Sequence, residues 1–225
     1  MNEKGFPIEK FKEFPITYSL ILLNLILFLL STLGADFQEK LFQEGALSGY
    51  YVVLKEEHYR LFTSMFLHND MIHITMNMLS LYMIGTMVER LFKSWAYIGI
   101  YFMSGLFGNF ASMYMHPTGW AVGASGAIFG IFGALAGFAF VHRNTMHGEF
   151  MQFMRSFGVV LLINFFIGIV FPSIDMSAHV GGLIGGVVGG LLVAKNLNFL
   201  WVYLVLGVGI LLTVYDYLPS LYVSL

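Results

Sequence analysis

The chain has 225 residues, of which 58% are hydrophobic and only 11% charged, with a formal charge of −2. A soluble domain carries about 25% charged residues, so a mean hydropathy of +0.77 excludes a fully water-facing surface and points to a bundle of membrane helices. The near-neutral charge and the lack of any basic run exclude a nucleic-acid partner, and the absence of cysteine removes disulfides, thiolate metal sites and a cysteine nucleophile.

Seven apolar segments are predicted, at about 16–34, 71–88, 95–115, 124–141, 157–171, 178–194 and 199–215. The first is uncharged and about 20 residues long, a full span rather than a signal h-region, although Ser31-Thr32-Leu33-Gly34-Ala35 could mimic a cleavage site. Residues 35–70 form a long loop mixing Leu41, Phe42, Tyr50 and Tyr51 with Glu39, Glu44, Glu56 and Glu57. That mixture suits a segment lying in the headgroups or a folded loop without membrane contact. The later breaks carry Glu89-Arg90 and Lys93, His116-Pro117, His142-Arg143, Pro172-Ser173 and Lys195-Asn196. The fifth segment is short and its start is poorly marked. Mid-span Asn24, Asn109 and Asn164 are expected to hydrogen-bond between helices.

Alternate threading with the N-terminus in the cytoplasm puts Lys4, Lys10, Lys12, Arg90, Lys93, Arg143, Arg155 and Lys195 inside, leaving Lys40, Lys55 and Arg60 outside. The reverse orientation would violate the positive-inside bias. Trp95, Trp120 and Trp201 lie near segment ends, as interfacial anchors do.

In this topology segments 2, 4 and 6 all run inward from the outer face. His73 and Asn77 open segment 2, Ser125 opens segment 4 and His179 opens segment 6, so all four belong to the outer part of the membrane. His73 and Asn77 share a helix face at i, i+4, and His68 just before them is placed to cap or orient that helix. The bland alternative for this pair is interhelical hydrogen bonding. A zinc-binding HExxH pattern is incomplete, so no metal or other cofactor is implied. Segment 6 carries Gly181, Gly185 and Gly189 on one stripe and Gly182, Gly186 and Gly190 on the next, and segment 4 offers a row of Gly126, Gly130, Ala134 and Gly137. Such rows let backbones approach closely, which a short serine needs in order to reach a histidine. Taken alone they are ordinary packing rows, just as Ser125 taken alone is a good helix N-cap. Together, Ser125 and His179 make a nucleophile and base inside a membrane, with free N–H groups at the start of segment 4 facing any oxyanion. Ala127 breaks G-x-S-x-G, so the soluble α/β-hydrolase elbow is not supported.

The motifs Gly123-Ala124-Ser125-Gly126, Ala178-His179-Val180-Gly181-Gly182 and His68-x4-His73-x3-Asn77, with Tyr59-Arg60 and Glu89-Arg90, resemble the rhomboid family of intramembrane serine proteases. The resemblance implies an all-α, polytopic membrane helix bundle: a cytoplasmic segment 1–15, a six-helix core at 16–194, and an extra C-terminal transmembrane helix with its tail at 195–225. It implies Ser125 as nucleophile, His179 as base, Asn77 and His73 at the oxyanion, and Phe129 packed on His179, with Gly123 and Gly126 supporting the serine. Tyrosine occurs at the Phe129 position in some members, and tryptophan is more usual than Tyr59 before Arg60. The substrates implied are transmembrane proteins in a lipid bilayer, cut near their outer ends, with segment 5 moving as a gate around Phe165, Phe166 and the Pro172 break. The cell membrane is the expected location. A non-catalytic relative that binds transmembrane helices is the rival reading, whereas a transporter or channel would want charge in mid-membrane.

Overall fold

The structure, a computed structural model, describes residues 8–146, 148–171 and 174–222. Lys4 and the Pro172 break lie outside the described residues, as does the side chain of Phe165. Every expected apolar segment carries a long helix. α1 (Ile8–Glu13) leads into α2 (Pro15–Ser31). After the loop at 35–70 come α6 (Met71–Leu91), α7 (Ser94–Met115), α8 (Ser125–Val141), α9 (Glu149–Val170), α10 (Met176–Lys195) and α11 (Phe199–Tyr217), followed by the short α12 (Pro219–Tyr222). Among the described residues, α6, Glu149–Gly168, α10 and Phe199–Tyr222 are long and apolar enough to cross a membrane, while α2 and α8 are apolar but shorter.

The loop at 35–70 is folded. It contains α3 (Ala35–Gly45), β1 (Leu47–Ser48), α4 (Gly49–Leu54), α5 (Arg60–Thr63) and a 3-10 turn over Ser64–Phe66. α3 buries none of its residues. β1 pairs antiparallel with β2 (Trp120–Ala121), matching Leu47 to Ala121 and Ser48 to Trp120. This bridge ties the 35–70 loop to the segment that leads into Ser125. Arg60 is buried beneath it. Its Nη1 donates to the Ala46 carbonyl at 2.9 Å, its Nε donates to Glu57 at 2.6 Å, and its guanidinium lies 4.6 Å from the Tyr51 ring centre. The Trp120 and Tyr59 rings flank it. Trp120 therefore packs on Arg60 besides sitting near a segment end.

α8 is the central helix and is buried along most of its length. Its glycine row faces one row of α10. A Cβ on Gly182 would run into the Gly126 carbonyl, one on Gly186 into the Gly130 carbonyl, and one on Gly190 into the Ala134 carbonyl. Backbone thus touches backbone at three points spread over about two helical turns. The other α10 row faces elsewhere: Gly181 meets Phe107 and Ala111 of α7, Gly185 meets Phe107, and Gly189 meets Tyr203 of α11 and Ile100 of α7. α9 is attached more loosely, through a small cluster in which Phe157 stacks on Phe132 at 4.3 Å.

Several sequence expectations change. The fifth helix begins at Glu149 rather than near 157, because a polar first turn masks its start, and Arg155 lies within it. Asn24 and Asn164 bond to Leu20 and Val160 of their own helices rather than between helices. Only Asn109 reaches across, to the Leu61 carbonyl at 2.7 Å and to Ser64 Oγ at 3.2 Å. Glu89 caps α2 from a distance: the N–H groups of Ile16 and Thr17 and the Thr17 hydroxyl all donate to its carboxylate. This supplies acceptors to a helix start that has no side-chain cap of its own. Arg90 pairs with Glu13 at 3.1 Å.

Candidate active site

Ser125 is the first residue of α8. The capping position belongs to Ala124, and no side chain caps the helix. The serine hydroxyl is therefore not consumed as a cap, and the first N–H groups of α8 stay free of helical partners. The turn into the helix depends on Gly123, at φ +128, a region that L side chains rarely adopt. The Gly123 N–H donates to the Ser64 carbonyl at 2.9 Å. Ser64 Oγ in turn accepts from Asn109, so α7 and the 35–70 loop jointly hold the segment before Ser125.

His179 lies in the first turn of α10 and is buried. Phe129, one turn below Ser125 on α8, stacks on the imidazole at 4.3 Å between centres and 14° between planes. The Gly126–Gly182 contact and this stack place His179 over the same end of α8 that carries Ser125. Among the described residues no hydrogen bond joins the two; a catalytic hydrogen bond is often loose until substrate binds.

Asp175 sets the start of α10. Its carboxylate accepts from the Ala178 N–H at 3.0 Å and from the Ser177 hydroxyl, while its backbone carbonyl accepts from the His179 N–H at 3.3 Å. Burial pushes this carboxyl up, but hydrogen bonds from Ser112, Ser177 and Ala178, with His116 at 3.8 Å, hold it below its ordinary value. It is thus a carboxylate at neutral pH. Sequence reasoning missed Asp175, although an Asp three residues before Ala178 at a helix start is a legible capping signal. It also missed the link from Asn109 to Ser64, which joins residues 45 apart and has no sequence signature.

His73 comes in from α6. A Cβ on Gly123 would lie 2.7 Å from His73 Nε2, so this imidazole rests against the backbone two residues before Ser125. Asn77 is buried one turn further on and donates to the His73 carbonyl at 2.9 Å. The cap of α6 is Asp70, which accepts from the His73 N–H at 2.8 Å. His68 does not cap. It is buried with its ring 5.0 Å from that of His73. Burial, and then the neighbouring His73, push the His68 imidazole down to about 4, so it packs as a neutral ring.

The sequence matches the family model of the rhomboid domain over residues 55–196. The chain belongs to the rhomboid family. It is similar to "Rhomboid protease GluP" of Bacillus subtilis (strain 168), at 37% identity over 174 residues, which is 75% of this chain and 32% of that one. It is also similar to "RHOMBOID-like protein 1" of Arabidopsis thaliana, at 37% identity over 61% of this chain and 35% of the relative. "Putative rhomboid protease YdcA" of Bacillus subtilis (strain 168) is 30% identical over 78% of this chain and 88% of its own length. The match to the first two spans about a third of their length. Family and helix composition together make this rhomboid an integral, multi-pass membrane protein of a protease family.

Proposed function

We propose that this rhomboid is an intramembrane serine endopeptidase in which Ser125 and His179 form a catalytic dyad. The observation that carries the proposal is the stack of Phe129 on His179, one turn from Ser125, at the start of two helices whose backbones touch. Ser125 Oγ attacks the scissile carbonyl while His179 takes its proton, and His179 then returns that proton to the leaving amine. The oxyanion faces the free N–H groups at the start of α8, with the His73 and Asn77 side chains as further donors. Water then attacks the acyl-serine with His179 again as base. The 17 residues of α8 extend about 25 Å, less than the hydrocarbon core of about 30 Å. Ser125 then lies below the outer surface in a cavity that must admit water.

The substrate is a transmembrane helix whose outer end must unwind, because a helical peptide bond is shielded by its own turn. Residues of low helix propensity near the cut favour cleavage. In this reading 16–194 is the proteolytic core, α11 is an added seventh span, and the protein sits in the cell membrane with its N-terminus in the cytoplasm and its active site outward. The loose attachment of α9 suits a lateral gate, and a crosslink between α6 and α9 then abolishes cleavage; full activity in the crosslinked protein would remove the gate from the scheme. The decisive test compares cleavage of a model transmembrane substrate, and labelling by a fluorophosphonate, in wild type, Ser125→Ala and His179→Ala. Both variants lose cleavage, and Ser125→Ala takes up no label. Equal cleavage by all three would end the assignment.

A further inference from the structure

The segment beyond α11 reaches back to the 35–70 loop. Tyr222 on α12 is buried, and its hydroxyl donates to the Met113 carbonyl, in the last turn of α7, at 2.7 Å. Its ring occupies the space beside Gly49, where any Cβ would collide with it. Gly49 follows β1 directly, and Met113 precedes β2 by seven residues. One side chain therefore grips both segments that converge on the β1–β2 bridge. Trp120 of that bridge stands three residues before Gly123, the left-handed turn that launches α8. A second contact runs in parallel: the Tyr215 hydroxyl of α11 donates to the Val52 carbonyl of α4 at 3.3 Å and lies 2.8 Å from His58 Nε2. Leu218, between the two tyrosines, is also buried.

We infer that Tyr222 is a positioning residue for Ser125, and that the seventh helix serves to carry it: the α11–α12 unit clamps the 35–70 loop and, through the β1–β2 bridge, holds the Gly123–Ser125 turn in register with His179. The inference rests on reading Ser125 as the nucleophile. The physical basis is that the bridge is only two residues long on each side. So short a ladder does not hold itself together, and its register depends on what pins its flanks. Tyr222 pins one flank of each strand with one buried hydrogen bond and one close packing contact.

The test uses the full chain in liposomes. Wild type, Tyr222→Phe, Tyr222→Ala, Gly49→Ala and the pair Gly49→Ala/Tyr222→Ala are compared by three readouts: the rate of fluorophosphonate labelling, kcat and KM on a model transmembrane substrate, and amide hydrogen exchange. Displacing a catalytic group by a fraction of an ångström reduces turnover steeply, so Tyr222→Ala slows labelling and kcat together by about tenfold. KM stays within about twofold, since binding along the gate is untouched. Tyr222→Phe, which keeps the ring and loses the hydrogen bond, falls between. Exchange quickens at residues 47–49 and 120–123 while α8 and α10 keep their protection. Gly49→Ala reproduces the defect, and the pair is no worse than Tyr222→Ala alone, because both act on one contact. Unchanged exchange at 47–49 and 120–123 in Tyr222→Ala overturns the inference, as does a uniform loss of protection across α8 and α10, the sign of a merely structural role. A wild type that neither labels nor cleaves removes the protease reading instead, and the exchange data still decide whether the clamp exists.

Discussion

Gly123 concentrates two constraints in one residue. Its φ of +128 excludes a relaxed side chain, and a Cβ would press on His73 Nε2. Forcing a non-glycine residue into such a conformation costs about 1–3 kcal/mol, and here the strain falls between the nucleophile and a proposed oxyanion donor. Gly123→Ala should reduce fluorophosphonate labelling more than it lowers the melting temperature, and a variant that labels at the wild-type rate would refute this account. His68 carries a prediction of another kind. Its folded-state pKa of about 4 lies below the ordinary 6.5, so between those values the unfolded chain binds the extra proton. The stability it contributes is complete above 6.5 and is lost as pH falls toward 4. Asp70 opposes this shift weakly and His73 reinforces it. Between pH 7 and pH 5 the loss is about 2 kcal/mol. Thermal melts at both pH values should therefore differ more for wild type than for His68→Gln; an equal drop in the two would place the acid sensitivity elsewhere.

At the scale of elements, glycines are not interchangeable. Gly186 of α10 packs on the Gly130 carbonyl of α8, and a methyl there must push the two helices apart. Overpacking of this kind costs about 1–3 kcal/mol and would separate Ser125 from His179. Gly158 of α9 has open space where a Cβ would go, and replacing a helical glycine by alanine gains about 0.5–1 kcal/mol. Gly186→Ala should lower both melting temperature and cleavage, whereas Gly158→Ala should raise or preserve the first and leave the second intact. The reverse ranking would show that α8 and α10 are not the rigid pair. The apolar rows themselves were legible as residue spacings. Which row met which helix was not: only packing assigned 182, 186 and 190 to α8, and 181 and 185 to α7.

For the whole molecule, the orientation argued from lysine and arginine is open to a direct measurement, because the chain has no cysteine and single-cysteine variants need no background correction. A cysteine at Gln43 on exposed α3 should react with an impermeant maleimide added outside intact cells. One at Asn144, between α8 and α9, should react only after the membrane is opened. The opposite pattern would invert the topology and move the candidate site to the cytoplasmic face. The 35–70 loop is the part of the molecule that composition described least well. Its mixture of aromatic and acidic residues left a surface-lying segment and a folded loop equally open. In the structure α3 remains exposed, while β1, α4 and α5 are fastened by Arg60, by β2 and by the tyrosines of α11 and α12.

Hydropathy alone determined the run of apolar helices, since a span must satisfy its backbone internally and leave its mark as an uncharged stretch. Motif spacing likewise nominated Ser125, His179, His73 and Asn77, because polar groups stand out in a greasy chain. The three-dimensional packing decided what no spacing encodes: that Glu89 caps a helix 72 residues away, that Asn109 secures the turn through Ser64, and that Tyr222 reaches Gly49. Each of these joins a side chain to a backbone group or a hydroxyl. Such partners have no sequence signature of their own, and they become neighbours only once the helices have closed around one another.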